Sequence, residues 1–215
     1  MSAADFSRIV AIVPVRSLSG AKTRLGEPLD PEERADLILA FLRRTVAAAL
    51  ASRRLDGVAV VSKDPELLRQ ARAMGAASLL QESDGLNEGL VETREAACAE
   101  ASAILVLPAD LPAVSAEAID RLAEVAVETG RGAPGRPVVV LVPDRHGTGT
   151  NALLVSPPDA IPFRFGEDSR AAHAREAAAA GAAYAEVAGP LAFDVDTAED
   201  LLEADSAGLD HEAGR

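Results

Sequence analysis

The run RIVAIVPV, Arg8 to Val15, is short, rich in Val and Ile, and apolar at nearly every position. A half-exposed strand would alternate apolar with polar residues, so this run predicts a strand buried on both faces of a parallel sheet. It stops at a loop, and Asp30-Pro31-Glu32-Glu33 follows. That tetrad supplies an N-cap acceptor, a proline where the first helical N–H needs no partner, and a glutamate three residues after the cap. Apolar positions then recur at Leu37, Leu39, Phe41, Leu42, Val46 and Leu50, predicting a long helix.

The alternation repeats along the chain. GVAVVS (Gly57 to Ser62) reads as strand, Asp64-Pro65-Glu66 starts a helix through Met74, and Gly75 ends it before SLL at Ser78 to Leu80. A helix is predicted from Asn87 to Ala101. AILVLPAD (Ala103 to Asp110) is a second doubly buried strand with a carboxylate at its end, and Ser115 caps a helix carrying Ile119, Leu122 and Val125. Strand, helix, strand, helix means an α/β fold. After the connector GRGAPGRP (Gly130 to Pro137), PVVVLVPD and NALLVS form two strands without a helix between them, a hairpin-like, mixed part of the sheet. FGEDSRAAHAREAAAAG (Phe165 to Gly181) becomes a helix, YAEV a short strand, and AFDVDTAEDLLEA a final helix started around Asp196-Thr197. The whole of 1–215 reads as one domain, with an acidic tail frayed from about residue 206.

Composition narrows the function. With 48% hydrophobic residues the core is ample, and no stretch reaches the ~18 to 20 uninterrupted apolar residues of a membrane span. MSAADFSRIV lacks a basic n-region before an apolar run, so the cytoplasm is the expected address. Cys98 is the only cysteine; its Ala-rich helical setting suits a small buried or half-buried residue better than a nucleophile. A net charge of -13 with five Phe, one Tyr and no Trp argues against a nucleic-acid partner. A small phosphorylated ligand stays compatible, provided local cations or a metal reverse the field inside one cleft.

Ligands of parallel α/β sheets bind beyond the carboxyl ends of the strands, and three stretches lie there. VRSLSGAKTRL (Val15 to Leu25) gathers Arg16, Lys22 and Arg24 with hydroxyls at Ser17, Ser19 and Thr23. It fails the P-loop pattern, and reads either as a phosphate-binding loop or as a solvated surface loop. LPADLP (Leu107 to Pro112) ends in Asp110, which would cap a turn or ligate a cation. FDVDT (Phe193 to Thr197) carries Asp194 and Asp196, which point the same way in extended chain and could meet Asp110 if this last strand adjoins the middle of the sheet. Such carboxylates form the hard oxygen shell that Mg²⁺ prefers, although Asp196 reads more strongly as the helix N-cap. His146, His173 and His211 show no metal-binding or triad spacing. GTGTN (Gly147 to Asn151) and FGEDS (Phe165 to Ser169) offer anion-binding backbone, the latter at a helix start.

Taken in order, PVRSLSGAKTRL, ESDGLNEGL, LVLPADLP, GTGTNALL, FGEDSRAAH and FDVDT resemble the CofC/FbiD family of guanylyltransferases of deazaflavin coenzyme F-420 biosynthesis, over about Ile9 to Leu202. The resemblance implies a nucleotidyltransferase fold, a Rossmann-like, mostly parallel mixed sheet flanked by helices. It implies transfer of GMP from GTP to a phosphorylated three-carbon acid, releasing pyrophosphate. Phosphoenolpyruvate is the acceptor in bacterial members and 2-phospho-L-lactate in archaeal ones; the Ala- and Arg-rich composition favours the former. By the same resemblance Lys22, with Arg16 and Arg24, would contact the GTP phosphates, and Leu86, Asn87 and Pro108 the nucleotide. Asp110 and Asp194, with Asp196, would hold Mg²⁺, and Lys22 and Asp110 would carry catalysis. Thr150, Gly166 and Ser169 would bind the acceptor. Ser83-Asp84-Gly85 departs from the glycines often found before the Leu-Asn pair.

Rival readings are a molybdenum-cofactor-type or sugar-phosphate nucleotidyltransferase and a non-catalytic GTP-binding module. The sparse SLSGAKTRL, in place of an early glycine-rich LAGGxSxRMG-like loop, argues against the molybdopterin version. The apolar hairpin strands could also pair two copies into a homodimer.

Overall fold

The computed structural model describes residues 3–15, 30–195 and 197–206. Seven strands, β1 (Ile9–Pro14), β2 (Gly57–Ser62), β3 (Ala77–Leu80), β4 (Ala103–Val106), β5 (Val138–Pro143), β6 (Thr150–Ser156) and β7 (Ala183–Glu186), form one sheet in the order β3-β2-β1-β4-β6-β5-β7. Only β6 runs against the rest, antiparallel to both β4 and β5. The doubly buried reading of the strands holds: Ala11, Ile12, Val13 and Ile104 to Val106 are fully buried.

Helices α1 (Pro31–Ala51), α2 (Pro65–Ala73) and α4 (Ala116–Gly132) cover one face of the sheet; α3 (Leu86–Ala97) and α5 (Ser169–Ala179) cover the other. A 3₁₀ turn (Pro190–Ala192) and α6 (Ala198–Ser206) close the chain, with Val195 and Ala204 packed on Leu37 and Phe41 of α1. None of the helices is long and apolar enough to cross a membrane, among the described residues.

The capping box expected at Asp30 is present. Its carboxylate accepts from the Glu32 and Glu33 N–H groups, both at 2.9 Å, while Glu33 accepts from the Asp30 N–H. Asp30→Ala is expected to destabilise the protein by about 1 kcal/mol, a fall of about 2–4 °C in thermal midpoint. An unchanged midpoint would show that the box contributes nothing.

β4 stops at Val106, so Asp110 lies four residues beyond the strand and not at its tip, and four further features differ from the sequence expectation. First, α3 stops at Ala97, four residues early, because Cys98 must turn the chain so that Ala103 can pair with Ile9 of β1. Second, α4 runs into the glycine-rich connector as far as Gly132. A Cβ at Gly130 would lie 3.1 Å from the Phe6 ring, so close packing there takes precedence over poor helix propensity. Third, the hairpin strands lie inside the sheet, β6 between β4 and β5, and β5 between β6 and β7. Pairing of these strands between two copies is therefore not available; the edges belong to β3 and β7. Fourth, Phe193 to Val195 is extended chain outside the sheet.

Candidate active site

The carboxyl ends of β1 and β4 lie side by side at the point where the sheet order reverses, the general ligand crevice of such sheets. Because β6 is reversed, its first residues, Thr150 and Asn151, rise to the same rim. Beyond β1, Val15 donates its N–H to the Val61 carbonyl at 2.9 Å, delivering the chain to this edge. Arg16, Lys22 and Arg24 follow, outside the described residues, as does Asp196.

Asp110 follows β4 through Leu107 and Pro108. The Val195 N–H donates to the Asp110 carbonyl at 3.0 Å, which sets Asp194 alongside Asp110 although 84 residues separate them. The amide of Asn151 donates to Asp194 Oδ1 at 3.2 Å, fixing that carboxylate from the β6 side. Arg145, from the β5–β6 loop, stacks over the Phe193 ring at 4.9 Å and is ion-paired with Asp200 and Glu203. Its guanidinium is held charged first by Asp200, with Glu203 and Asp194 adding to the effect. The last segment is thus clamped by a cation, an aromatic contact and one backbone bond. The N-cap expected of Asp196 is Thr197, whose hydroxyl accepts from the Asp200 N–H at 3.3 Å while Asp200 accepts from the Thr197 N–H at 2.7 Å.

The β6 end carries an irregularity. Pro143 pairs with Thr150 while Val142 pairs with Ala152, so two residues of β6 oppose one step of β5. Bulges of this kind re-aim side chains next to sites. Strict alternation would put the Thr150 side chain on the face of Ala152 and Leu154, under α1 and α4. Instead its hydroxyl lies 3.1 Å from His173 Nδ1, on the α5 face. Ser169, the first residue of α5, is buried, four residues before His173 and on the same helix face. Gly166, at φ 129, precedes it in a backbone conformation that favours glycine.

Leu86 opens α3 and is exposed. Asn87 braces the loop before α5: its Nδ2 donates to the Phe165 carbonyl at 3.0 Å and its Oδ1 accepts from the Phe165 N–H at 2.8 Å. Its side-chain amide therefore ties α3 to the segment bearing Gly166 and Ser169.

The profile of the guanylyl transferase CofC-like family matches residues 9–213. The chain belongs to this family. Within it, the chain is 46% identical to the phosphoenolpyruvate guanylyltransferase of Rubrobacter xylanophilus, covering 93% of this chain and 95% of that one. It is 43% identical to the phosphoenolpyruvate guanylyltransferase of Sphaerobacter thermophilus, over 90% and 91% of the two chains. The fold recurs in a nucleotidyl transferase from Methanothermobacter, with TM-score 0.70 at 20% identity and coverage of 94% and 98%. It recurs also in a putative nucleotide-diphospho-sugar transferase from Desulfovibrio desulfuricans, TM-score 0.68 at 15% identity, covering 90% and 84%. The CofC-like chain is thus an enzyme of nucleotidyltransferase architecture.

Three residues of this CofC-like site were invisible to the sequence reading: Asn151, Arg145 and His173. Only His173 had an available signal, its i,i+4 spacing from Ser169 inside FGEDSRAAH. It is fully buried, accepts the Arg164 N–H at Nε2 (2.9 Å), and meets the Phe165 ring edge-on at 4.9 Å. Burial pushes its pKa down to about 4, with Glu176 and the Ser169 carbonyl opposing and Arg164 assisting. The stability linked to the neutral ring is complete above the ordinary value of 6.5 and declines as pH falls toward about 4, because the unfolded ring takes up its proton first. The expected loss is about 3 kcal/mol. Urea midpoints from pH 7.5 down to 4.5 should therefore fall more steeply for the native protein than for His173→Asn; equal slopes would contradict the assignment.

Cys98 is buried in the core and its thiol is pushed up to about 11 by burial, consistent with a packing residue.

Proposed function

We propose that this chain moves GMP from GTP to the phosphate of phosphoenolpyruvate, giving enolpyruvoyl-2-diphospho-5'-guanosine and pyrophosphate, a step of coenzyme F-420 biosynthesis. The observation that carries the reading is the Val195 N–H bond to the Asp110 carbonyl, which sets Asp194 beside Asp110 on the rim shared with Thr150. The relatives named above favour phosphoenolpyruvate as acceptor. Both substrates are cytoplasmic metabolites, and we place the enzyme there.

The donor set fits Mg²⁺. Asp110 and Asp194, joined through the Val195 N–H bond to the Asp110 carbonyl, would supply hard carboxylate oxygens, the second of them held by Asn151. Among the described residues no group of three or more His, Cys, Asp or Glu forms a complete protein cage. Mg²⁺ needs none: it is held through one or two carboxylates plus substrate phosphates and waters. Asp110 and Asp194, with Asp196, would hold the ion, which supplies Lewis-acid activation and a template for phosphate oxygens.

The remaining chemistry falls to the chain. An acceptor phosphate oxygen attacks the α-phosphorus of GTP, a new P–O bond forms, and the bond to the pyrophosphate oxygen breaks. The nucleophile is already anionic, so no proton need be removed and no strong general base is required. The difficulty is bringing two polyanions together, which is a matter of positioning and charge neutralisation. Lys22, Arg16 and Arg24 would offset charge on the triphosphate and the departing pyrophosphate. Leu86, Asn87 and Pro108 would line the nucleotide side, and Thr150, Gly166 and Ser169 the acceptor side. Asn87 joins the two sides through Phe165.

Incubation with GTP and Mg²⁺ and each acid in turn, followed by mass spectrometry, tests the reading. Guanylylated phosphoenolpyruvate with pyrophosphate is expected. Product with 2-phospho-L-lactate alone would move the acceptor assignment, product only with other nucleotides or sugar phosphates would move the reaction, and GTP binding without turnover would leave a binding module.

A further inference from the structure

We propose that His173 is a positioning residue that fixes the Thr150 hydroxyl as a hydrogen-bond donor toward the acceptor substrate; this rests on the reading of Thr150 as an acceptor-binding residue. The argument is one of proton counting. The backbone N–H of Arg164 points at His173 Nε2 across 2.9 Å, and an amide N–H can only donate. Nε2 therefore presents its lone pair, and in the neutral ring the proton sits on Nδ1. Nδ1–H faces the Thr150 hydroxyl oxygen at 3.1 Å. A hydroxyl has one proton, and it cannot be directed at a nitrogen that already carries one. The Thr150 proton is therefore aimed away from the ring.

Left alone, a threonine hydroxyl rotates and presents lone pairs as readily as its proton. Phosphate and carboxylate oxygens are acceptors only, so a hydroxyl pinned as a donor suits them better than a free rotor. The ring is itself immobilised, by complete burial, by the Arg164 N–H and by the edge-on Phe165 ring, whose backbone Asn87 brackets on both sides. A chain of contacts thus runs from Asn87 through Phe165 and His173 to Thr150.

The test combines kinetics with histidine ¹⁵N NMR on the full chain. In the native protein without substrate, His173 should show the Nδ1-protonated tautomer, and Thr150→Val should shift the Nδ1 signal. His173→Asn should raise KM for phosphoenolpyruvate about tenfold with KM for GTP little changed, and the double variant with Thr150→Val should be no worse than Thr150→Val alone. An Nε2-protonated ring, additive effects, or an equal rise in both KM values overturns the proposal. Should His173→Asn fail to fold, the tautomer and the Thr150→Val shift decide it. Should the native enzyme turn over no phosphorylated acid, the functional reading fails while the NMR still decides the orientation.

Discussion

Asp110→Asn is expected to lower pyrophosphate release in saturating GTP, phosphoenolpyruvate and Mg²⁺ by about 10³-fold or more, with the thermal midpoint within a few degrees of native. The substitution separates two roles that share a residue. The structural tie to the last segment uses the Asp110 backbone carbonyl, which receives the Val195 N–H at 3.0 Å and is untouched by the change. What is lost is one carboxylate charge at a site where, on the proposed function, a divalent cation and several phosphate oxygens would coexist in a chain of net charge -13. An amide oxygen is a weaker partner for a hard cation and leaves phosphate charge uncompensated. Near-native turnover would remove Asp110 from the chemistry.

Lys22→Ala is expected to cost about 10²- to 10³-fold in kcat, with a smaller change in KM for GTP. Charge develops on the bridging oxygen as pyrophosphate leaves, so a cation placed there is worth more in the transition state than in the ground state. The segment leaves β1 at the carboxyl edge, where Val15 is bonded to Val61 of β2, and its three cations occupy eleven residues of an otherwise acidic chain. Rate constants from single-turnover quench measure this directly. A loss confined to stability, with kcat intact, would make the segment an ordinary solvated loop.

What the sequence made legible was local chemistry repeated in order. Doubly apolar runs marked β1, β2, β4, β5 and β6, since burial on both faces leaves no alternation to misread. The Asp30-Pro31-Glu32-Glu33 signal placed α1 to the residue because every group in a capping box lies within one turn. The stretches LPADLP and FGEDS stood out because polar residues following an apolar strand or opening a helix lie toward the carboxyl edge of a parallel sheet, whereas Thr150, which opens a reversed strand, was singled out through the family resemblance. The rest depends on long-range contacts. That Asn151 donates to Asp194, or that Asn87 brackets Phe165, requires chain positions 43 and 78 residues apart to meet. The bulge at Thr150 breaks the very alternation on which strand reading relies. His173 sits in an Ala-rich helix whose composition says nothing of a buried imidazole. The hairpin reads as a free apolar surface only until the sheet order encloses it.

The measurement closest to the central claim is binding of Mn²⁺, in place of Mg²⁺, followed by electron paramagnetic resonance with GTP present. The native protein should take up the ion, and Asp110→Asn and Asp194→Asn should each weaken its binding by roughly tenfold or more, since both carboxylates would be lost ligands. Undiminished Mn²⁺ affinity in both variants would contradict a metal shared between these two aspartates.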